Sequence, residues 1–296
     1  MKSIFLKAVT AFVAALVLVT SAWAVDLPAK ARPAFWTVEH QGGRMYLLGS
    51  VHLLPPEIQW ITDEIRVARD SAEVFAFEAP LKDADVTMSV FVEKHGRIDG
   101  GKSLRDLLGK KAHEALEQAA WEVQYPPRLL AGVRPWLAAV YLELYAYLKL
   151  GYSPHYGVDH VLERQVEARK VGFAYFETVE EQLSYFLKLS PREELTYLNA
   201  TVRDIIEKPD MPQRLIKAWA EGDTRGLQAL IDEGMAGVPQ LRAQLLVARN
   251  RKWLPQIEAM LKSGKVHFVT VGAAHLVGRD GVVEMLRAKG YKVTGP

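Results

Sequence analysis

Two short apolar runs, one near each end of the chain, restrict its fold more than any other feature. They are Met45-Tyr46-Leu47-Leu48-Gly49-Ser50-Val51-His52 and Val266-His267-Phe268-Val269-Thr270-Val271-Gly272-Ala273-Ala274-His275. Each has the length of a buried strand rather than of a helix, and each ends in Gly-x-x-His. In an open α/β sheet the ligand crevice lies beyond the carboxyl ends of the strands. A glycine there lets backbone approach a neighbour closely, and a histidine three residues on reaches into the crevice. Spacing alone says little in a chain with 21 Gly and 8 His. A third instance, Gly157-Val158-Asp159-His160, opens a predicted helix instead. The repeated strand context carries the reading.

Around these runs the pattern is α/β. Residues 36–40 and 45–48 read as a hairpin turning at Gln41-Gly42-Gly43. Pro55-Pro56 stops the second strand, and 57–71 has helical periodicity. Residues 73–78 are a third strand, which delivers Glu78. From Asp83 to Leu150 the pattern is helical: Asp83 or Asp85 can cap one helix, Ser103 starts a short turn, and 110–121 is another helix. Pro135 lies early in a long apolar helix, where its missing N–H is tolerated. A helix from Gly157 to about Lys170 leads to a fourth strand ending in Glu177, and Thr178 with Glu181 forms a capping-box pattern. Residues 180–262 are helical almost throughout, and a helix over 281–289 and an edge strand over 291–294 follow the last long strand. The expected fold is an α/β domain: a central mixed, mainly parallel sheet with a large helical insertion layer over its crevice.

Two imidazoles and one or two carboxylates beyond one sheet edge suit a borderline divalent metal, Mn, Co or Zn. His52 and His275 are the candidate ligands, with Gly49 and Gly272 as the motif glycines. Such a metal lowers the pKa of bound water and polarises a carbonyl, with a free carboxylate as general base. Glu78 is the first choice for that base, because it follows the first histidine strand directly. Glu177 is the second and is otherwise assigned to substrate binding; its alternative role is a helix N-terminal carboxylate stabilised by the dipole. His40, His95, His113, His155, His160 and His267 default to structural or exposed roles. No Gly-x-Ser-x-Gly elbow, dinucleotide fingerprint or P-loop occurs, and with no Cys a thiol nucleophile is excluded.

In its pair of Gly-x-x-His strand ends the chain resembles the TraB/GumN family, which includes the animal Tiki proteins. The resemblance covers nearly the whole chain after the leader. It implies a fold shared with the erythromycin esterases and a Tiki-like metal-dependent peptidase that cleaves near a chain end. Arg134-Pro135-Trp136, residues 219–223 and Arg249-Asn250-Arg251-Lys252-Trp253 also resemble family signatures, the first reading simply as a packed helix start. The family's Arg-Asn implies that Arg249 clamps a substrate carboxylate or stabilises an oxyanion, with Asn250 beside it on the substrate. The alternative for Arg249 is a surface ion pair. Ser50, where the family carries Thr or Ser, reads as a turn-forming hydroxyl. Two rivals stay open: a metal-independent His/Glu esterase, and a non-catalytic accessory protein linked to polysaccharide or peptide-signal control.

Residues 1–24 read as a secretory signal. Lys2 and Lys7 precede an apolar stretch broken only by Thr10, and Ala22-Trp23-Ala24 supplies a small-x-small cleavage site. The stretch is shorter than the ~20 residues that span a bilayer. The expected product is a single domain, 25–296, periplasmic or secreted and without a lasting membrane anchor. Having no Cys is compatible with that compartment, where disulfides are permitted but not required. The 37 Lys and Arg against 35 Asp and Glu lose Lys2 and Lys7 with the leader, so the rest is formally neutral. Neutrality argues against nucleic acid or an anionic membrane as partner; a peptide or protein substrate is what the resemblance implies.

Overall fold

In the computed structural model, which describes residues 26–167 and 169–296, six strands form one sheet. They are β1 (Phe35–His40), β2 (Gly43–Ser50), β3 (Val74–Phe77), β4 (Gly172–Tyr175), β5 (Val266–Gly272) and β6 (Lys292–Thr294). Their order is β4-β3-β5-β2-β1-β6. The run from β4 to β2 is parallel, and β1 and β6 add antiparallel strands at one side. The predicted leader and its cleavage site lie outside the described residues.

The hairpin forms as its sequence predicts. Gln41 and Gly42 take φ values of 46° and 86°, the left-handed pair whose twist matches that of the flanking strands. β5 lies in the middle of the sheet, and Phe268, Val269, Thr270 and Val271 are buried along it. A parallel strand covered on both faces is expected to be continuously apolar rather than alternating, which is why this run stood out. Phe268 meets Phe35 and Phe75 with ring centroids 5.9 and 5.5 Å apart.

Twelve helices accompany the sheet among the described residues: α1 (Asp63–Ser71), α2 (Ala84–His95), α3 (Leu104–Glu122), α4 (Pro135–Lys149), α5 (Val158–Glu167), α6 (Val179–Ser184), α7 (Pro191–Glu207), α8 (Met211–Ala220), α9 (Thr224–Met235), α10 (Pro239–Arg242), α11 (Arg249–Lys262) and α12 (Val282–Ala288). Thr178 and Ser190 close capping boxes with Glu181 and Glu193 at the starts of α6 and α7. Three expectations are corrected. The helix predicted over 57–71 begins only at Asp63: Gln59 pairs with the N-terminal segment through Ala31 N–H at 2.8 Å and Ala29 O at 2.9 Å, and Thr62 caps the helix. Ser103 opens no short turn but a capping box on α3, whose two parts meet at a kink where Gly109 has φ 73°. Asp83 precedes α2 without a side-chain capping bond.

The apolar residues gather in two cores. One is the sheet with the helices laid on it, including Leu47, Phe75, Trp253 and Leu286. The other lies within the helical layer, where α3, α4 and α7 pack around Trp136, Leu142 and Leu198. Arg134 precedes that second core, paired with buried Glu194, and Trp136 stacks on Phe186 at 5.1 Å. This is the packed helix start expected of Arg134-Pro135-Trp136.

Candidate functional site

The two Gly-x-x-His turns leave neighbouring parallel strands, with Ser50 of β2 in register with Gly272 of β5. A Cβ on Gly49 would stand 2.9 Å from both Cα and Cβ of Ala273, so the turns pack directly on each other. Trp219 donates from Nε1 to the Gly49 carbonyl at 2.8 Å and fixes that contact from α8. At the second glycine, a Cβ would lie 3.1 Å from Glu78 Oε1, which accepts the Gly272 N–H at 2.6 Å. The first glycine thus joins the motifs to one another, and the second joins them to Glu78 at the end of β3. Ser50 is buried, and its hydroxyl has no hydrogen-bond partner. It is not the turn-forming hydroxyl expected.

His275 is buried, and both ring nitrogens are occupied. Nδ1 lies 2.6 Å from Asn250 Oδ1 and Nε2 lies 3.1 Å from Arg249 Nη1. Only the tautomer with its proton on Nδ1 satisfies both, since a guanidinium cannot accept. Burial, with the positive charges of Arg249 and His52, pushes the imidazole down to about 3 against the opposing pull of Glu78. His275 is therefore neutral at physiological pH. The Trp253 ring, 4.4 Å from it between centroids, covers one side.

Arg249 reaches this network on a buried stripe of α11 spaced four residues apart, with Trp253, Ile257 and Leu261. A π-helical segment, Ala243–Ala248, runs directly into α11, a local rewinding often found at functional sites. Nε donates to Glu177 at 2.9 Å, Nη2 to Glu78 at 2.5 Å, and Nη1 to the Leu245 carbonyl at 3.2 Å. The surface-ion-pair alternative therefore fails, because the guanidinium is 9% exposed.

Two residues assigned to substrate are placed otherwise. The Glu177 side chain has no solvent exposure; Tyr185 donates to it at 2.8 Å and Lys252 stands 3.8 Å away. It holds Arg249 from behind and has no face left for a substrate. Asn250 is 1% exposed and spends its amide on His275 and on the Asp280 carbonyl at 2.7 Å. It orients the imidazole. Neither position was evident from the sequence, where a strand-end carboxylate and a helical amide look alike whichever way they face.

Glu78 is an anion held from several sides. Besides Gly272 and Arg249, Gln182 donates to it at 3.0 Å, and His275 Nε2 lies 3.7 Å from Oε1. Burial pushes the carboxyl up, but His275, Arg249, His52 and the Gly272 N–H more than reverse this and hold it at about 2. Glu78 is thus an ionised carboxylate at neutral pH.

His52 stands at the mouth, with its side chain 65% exposed. Its Nδ1 is 2.8 Å from Asp159 Oδ2, and that carboxylate raises its pKa to about 9. Asp159 was missed by the sequence reading, although the signal was present in the third Gly-x-x-His instance. A Cβ on Gly157 would sit 2.1 Å from the His52 carbonyl oxygen, and Val158 N–H donates to Val51 at 3.0 Å. The start of α5 is thereby pressed against the first motif, which brings Asp159 to the imidazole.

Both histidines have Nδ1 fixed by a side-chain oxygen, so Nε2 is the pole turned toward the site. An imidazole held through one nitrogen by a side-chain oxygen in this way is typical of metal ligands. Among the described residues no three His, Asp or Glu side chains already form a coordinating cluster, and Arg249 occupies the His275 Nε2. In comparison with known proteins, a model of the TraB/PrgY/gumN family matches residues 34–295. Neither a search of curated proteins nor one of solved structures returns a match.

Proposed function

The chain belongs to the TraB/PrgY/gumN family, and on that premise we propose that it is an exported, metal-dependent hydrolase acting on peptide or protein substrates. The observation that carries the reading is the matched pair of imidazoles. Each leaves a strand end with Nδ1 anchored, by Asp159 or by Asn250, and His275 Nε2 lies 3.7 Å from the Oε1 of Glu78. That donor set fits Mn, Co or Zn. His52 and His275 would hold the ion, His275 only once Arg249 Nη1 gives up its Nε2, with Glu78 Oε1 as the adjacent carboxylate oxygen. When bound, the ion supplies Lewis-acid activation of water and of the scissile carbonyl. His52 must first give up its Nε2 proton, so metal affinity rises with pH. Arg249 balances Glu78 and Glu177 and keeps Glu78 aimed, a positioning role rather than a clamp on substrate.

One observation favours a second reading, a metal-independent hydrolase. Arg249 Nη1 lies on His275 Nε2 at 3.1 Å, which leaves His52 as the one open imidazole. There the His52–Asp159 pair works by itself: water adds to the scissile carbonyl, the imidazolium, with its pKa raised to about 9, gives its proton to the leaving group as that bond breaks, and the proton released by water restores it.

Purified protein assayed against peptide and ester libraries, with Mn, Co or Zn and separately with chelator, decides between them. Turnover restored only by metal, and lost in His52→Ala and His275→Ala together with metal affinity, supports the first reading. Turnover indifferent to chelator overturns it in favour of the second. Absence of turnover and of metal binding alike returns the chain to the accessory-protein alternative.

A further inference from the structure

Between the sheet core and the helical core lies an open cavity of about 340 Å³. That size is in the range of small-ligand pockets. Its walls are mainly apolar, with Tyr147, Leu215, Ile231 and Met235 among them, and Ala274 lies at the end nearest His275. The site described above uses none of these walls.

One charged group breaks the apolar lining. Glu143 is the only acidic residue of α4, and it lines the cavity. Two hydroxyls of α7 hold it: Tyr197 donates to Oε2 and Thr201 to Oε1, both at 2.9 Å. An oxygen accepting one hydrogen bond keeps a second lone pair free. The other carboxylates of the lining are matched by cations. Lys208 lies 3.4 Å from Asp204, and Lys149 lies 3.8 Å from Glu122. Glu143 has no such ion pair among the described residues. Burial of the carboxyl, with the charge of Asp204, raises it above the usual carboxylate range despite the two hydroxyls that pull it down.

We infer that this cavity binds an amphiphilic cation, an ammonium or guanidinium group on an apolar stem, with the cation against Glu143 and the stem along Tyr147, Leu215 and Ile231. An apolar molecule alone would leave the carboxylate without a counter-charge. An anion would meet it head on. A cation replaces lost water with a charge-assisted hydrogen bond, and the Tyr147 ring adds an aromatic face beside it. The chemistry is shared by a free alkylamine and by a Lys or Arg side chain of a peptide. Because the readout is binding, the inference stands or falls separately from the proposed hydrolysis.

The test is titration calorimetry of the purified chain with octylamine, octanol and octanoate. The amine is expected to bind about tenfold or more tighter than the alcohol, and the carboxylate not at all. Glu143→Gln, which keeps an acceptor for the α7 hydroxyls, is expected to bring the amine down to the level of the alcohol and leave the alcohol unchanged. Leu215→Trp, which fills the cavity, is expected to abolish binding of both. A Lys-containing peptide that displaces octylamine, where its norleucine analogue does not, identifies a basic side chain as the source; no displacement by either leaves the free amine. Equal binding of amine and alcohol, an unchanged amine affinity in Glu143→Gln, or no binding of the amine overturns the inference.

Discussion

Replacing Arg249 by Met tests whether the site is locked by charge. The guanidinium lies between Glu78 and Glu177, whose side chains are 10% and 0% exposed. Methionine fills much of the same volume but leaves both carboxylates without their cation. Removing one partner of a buried ion pair costs about 3–5 kcal/mol. The Gly272 N–H and Gln182 still hold Glu78, and the Tyr185 hydroxyl still holds Glu177, so the low end of that range applies. In a domain of this size it corresponds to a fall in Tm of roughly 6–12 °C, measured by circular dichroism near pH 7. Glu177→Gln in the same chain should recover about half of the loss, because one stranded charge is removed. The pH dependence has a definite sign. Glu78 sits at about 2 against an ordinary 4.5, so its stabilisation is complete above pH 4.5 and is lost as the pH falls through 2. The gap between wild type and Arg249→Met should therefore narrow on acidification below pH 4.5. An Arg249→Met protein within about 1 kcal/mol of wild type, or one that Glu177→Gln does not rescue, refutes an electrostatic lock of the size given for broken buried pairs.

Three further perturbations address the parts of the site separately. Asp159→Asn should return His52 from about 9 toward its ordinary value, read from the imidazole resonances in chelator-treated protein; an unchanged titration removes Asp159 as the cause. Gly49→Ala should cost about 1–3 kcal/mol by overpacking, since the new methyl meets Ala273 at 2.9 Å; denaturant unfolding measures it, and a neutral outcome means the two turns are not in firm contact. Trp219→Phe should lose about 1 kcal/mol with the hydrogen bond to Gly49. A wild-type denaturation midpoint in that variant would show that the bond contributes nothing.

The sheet was legible because its strands differ from everything around them. β2 and β5 are short apolar runs bounded by turn residues, and no helix competes for them. The capping boxes at Thr178 and Ser190 are local chemistry and survive folding. By contrast, the strand-like segment at Gln59 owes its shape to a distant partner at Ala29 and Ala31, which no local pattern records. The same distinction divides the site. Gly49, Gly272, His52, His275, Glu78 and Glu177 announce themselves as strand-end residues. The direction in which Glu177 points is set by Arg249 and that of Asn250 by His275 and Asp280, and Arg249 follows a π-helical segment that has no compositional mark. Asp159 was visible only as an unexplained repeat of a spacing, because its contact with His52 depends on how closely Gly157 lets α5 approach.

The position of β5 has a consequence for when the molecule becomes competent. This strand follows β1 to β4 in the sequence, yet it is inserted in the middle of the sheet, between β3 and β2. Before Val266 to Gly272 arrive, the earlier strands are two ribbons whose facing edges lack their common partner, and such edges invite mispairing. His275 and the Gly272 N–H that anchors Glu78 come with the same segment. A growing or C-terminally trimmed chain therefore lacks the centre of its sheet and half of its site together. Long-range pairing of this kind is slow to form, so the interval before β5 docks is when the open edges are most exposed to mispairing and the site is not yet assembled.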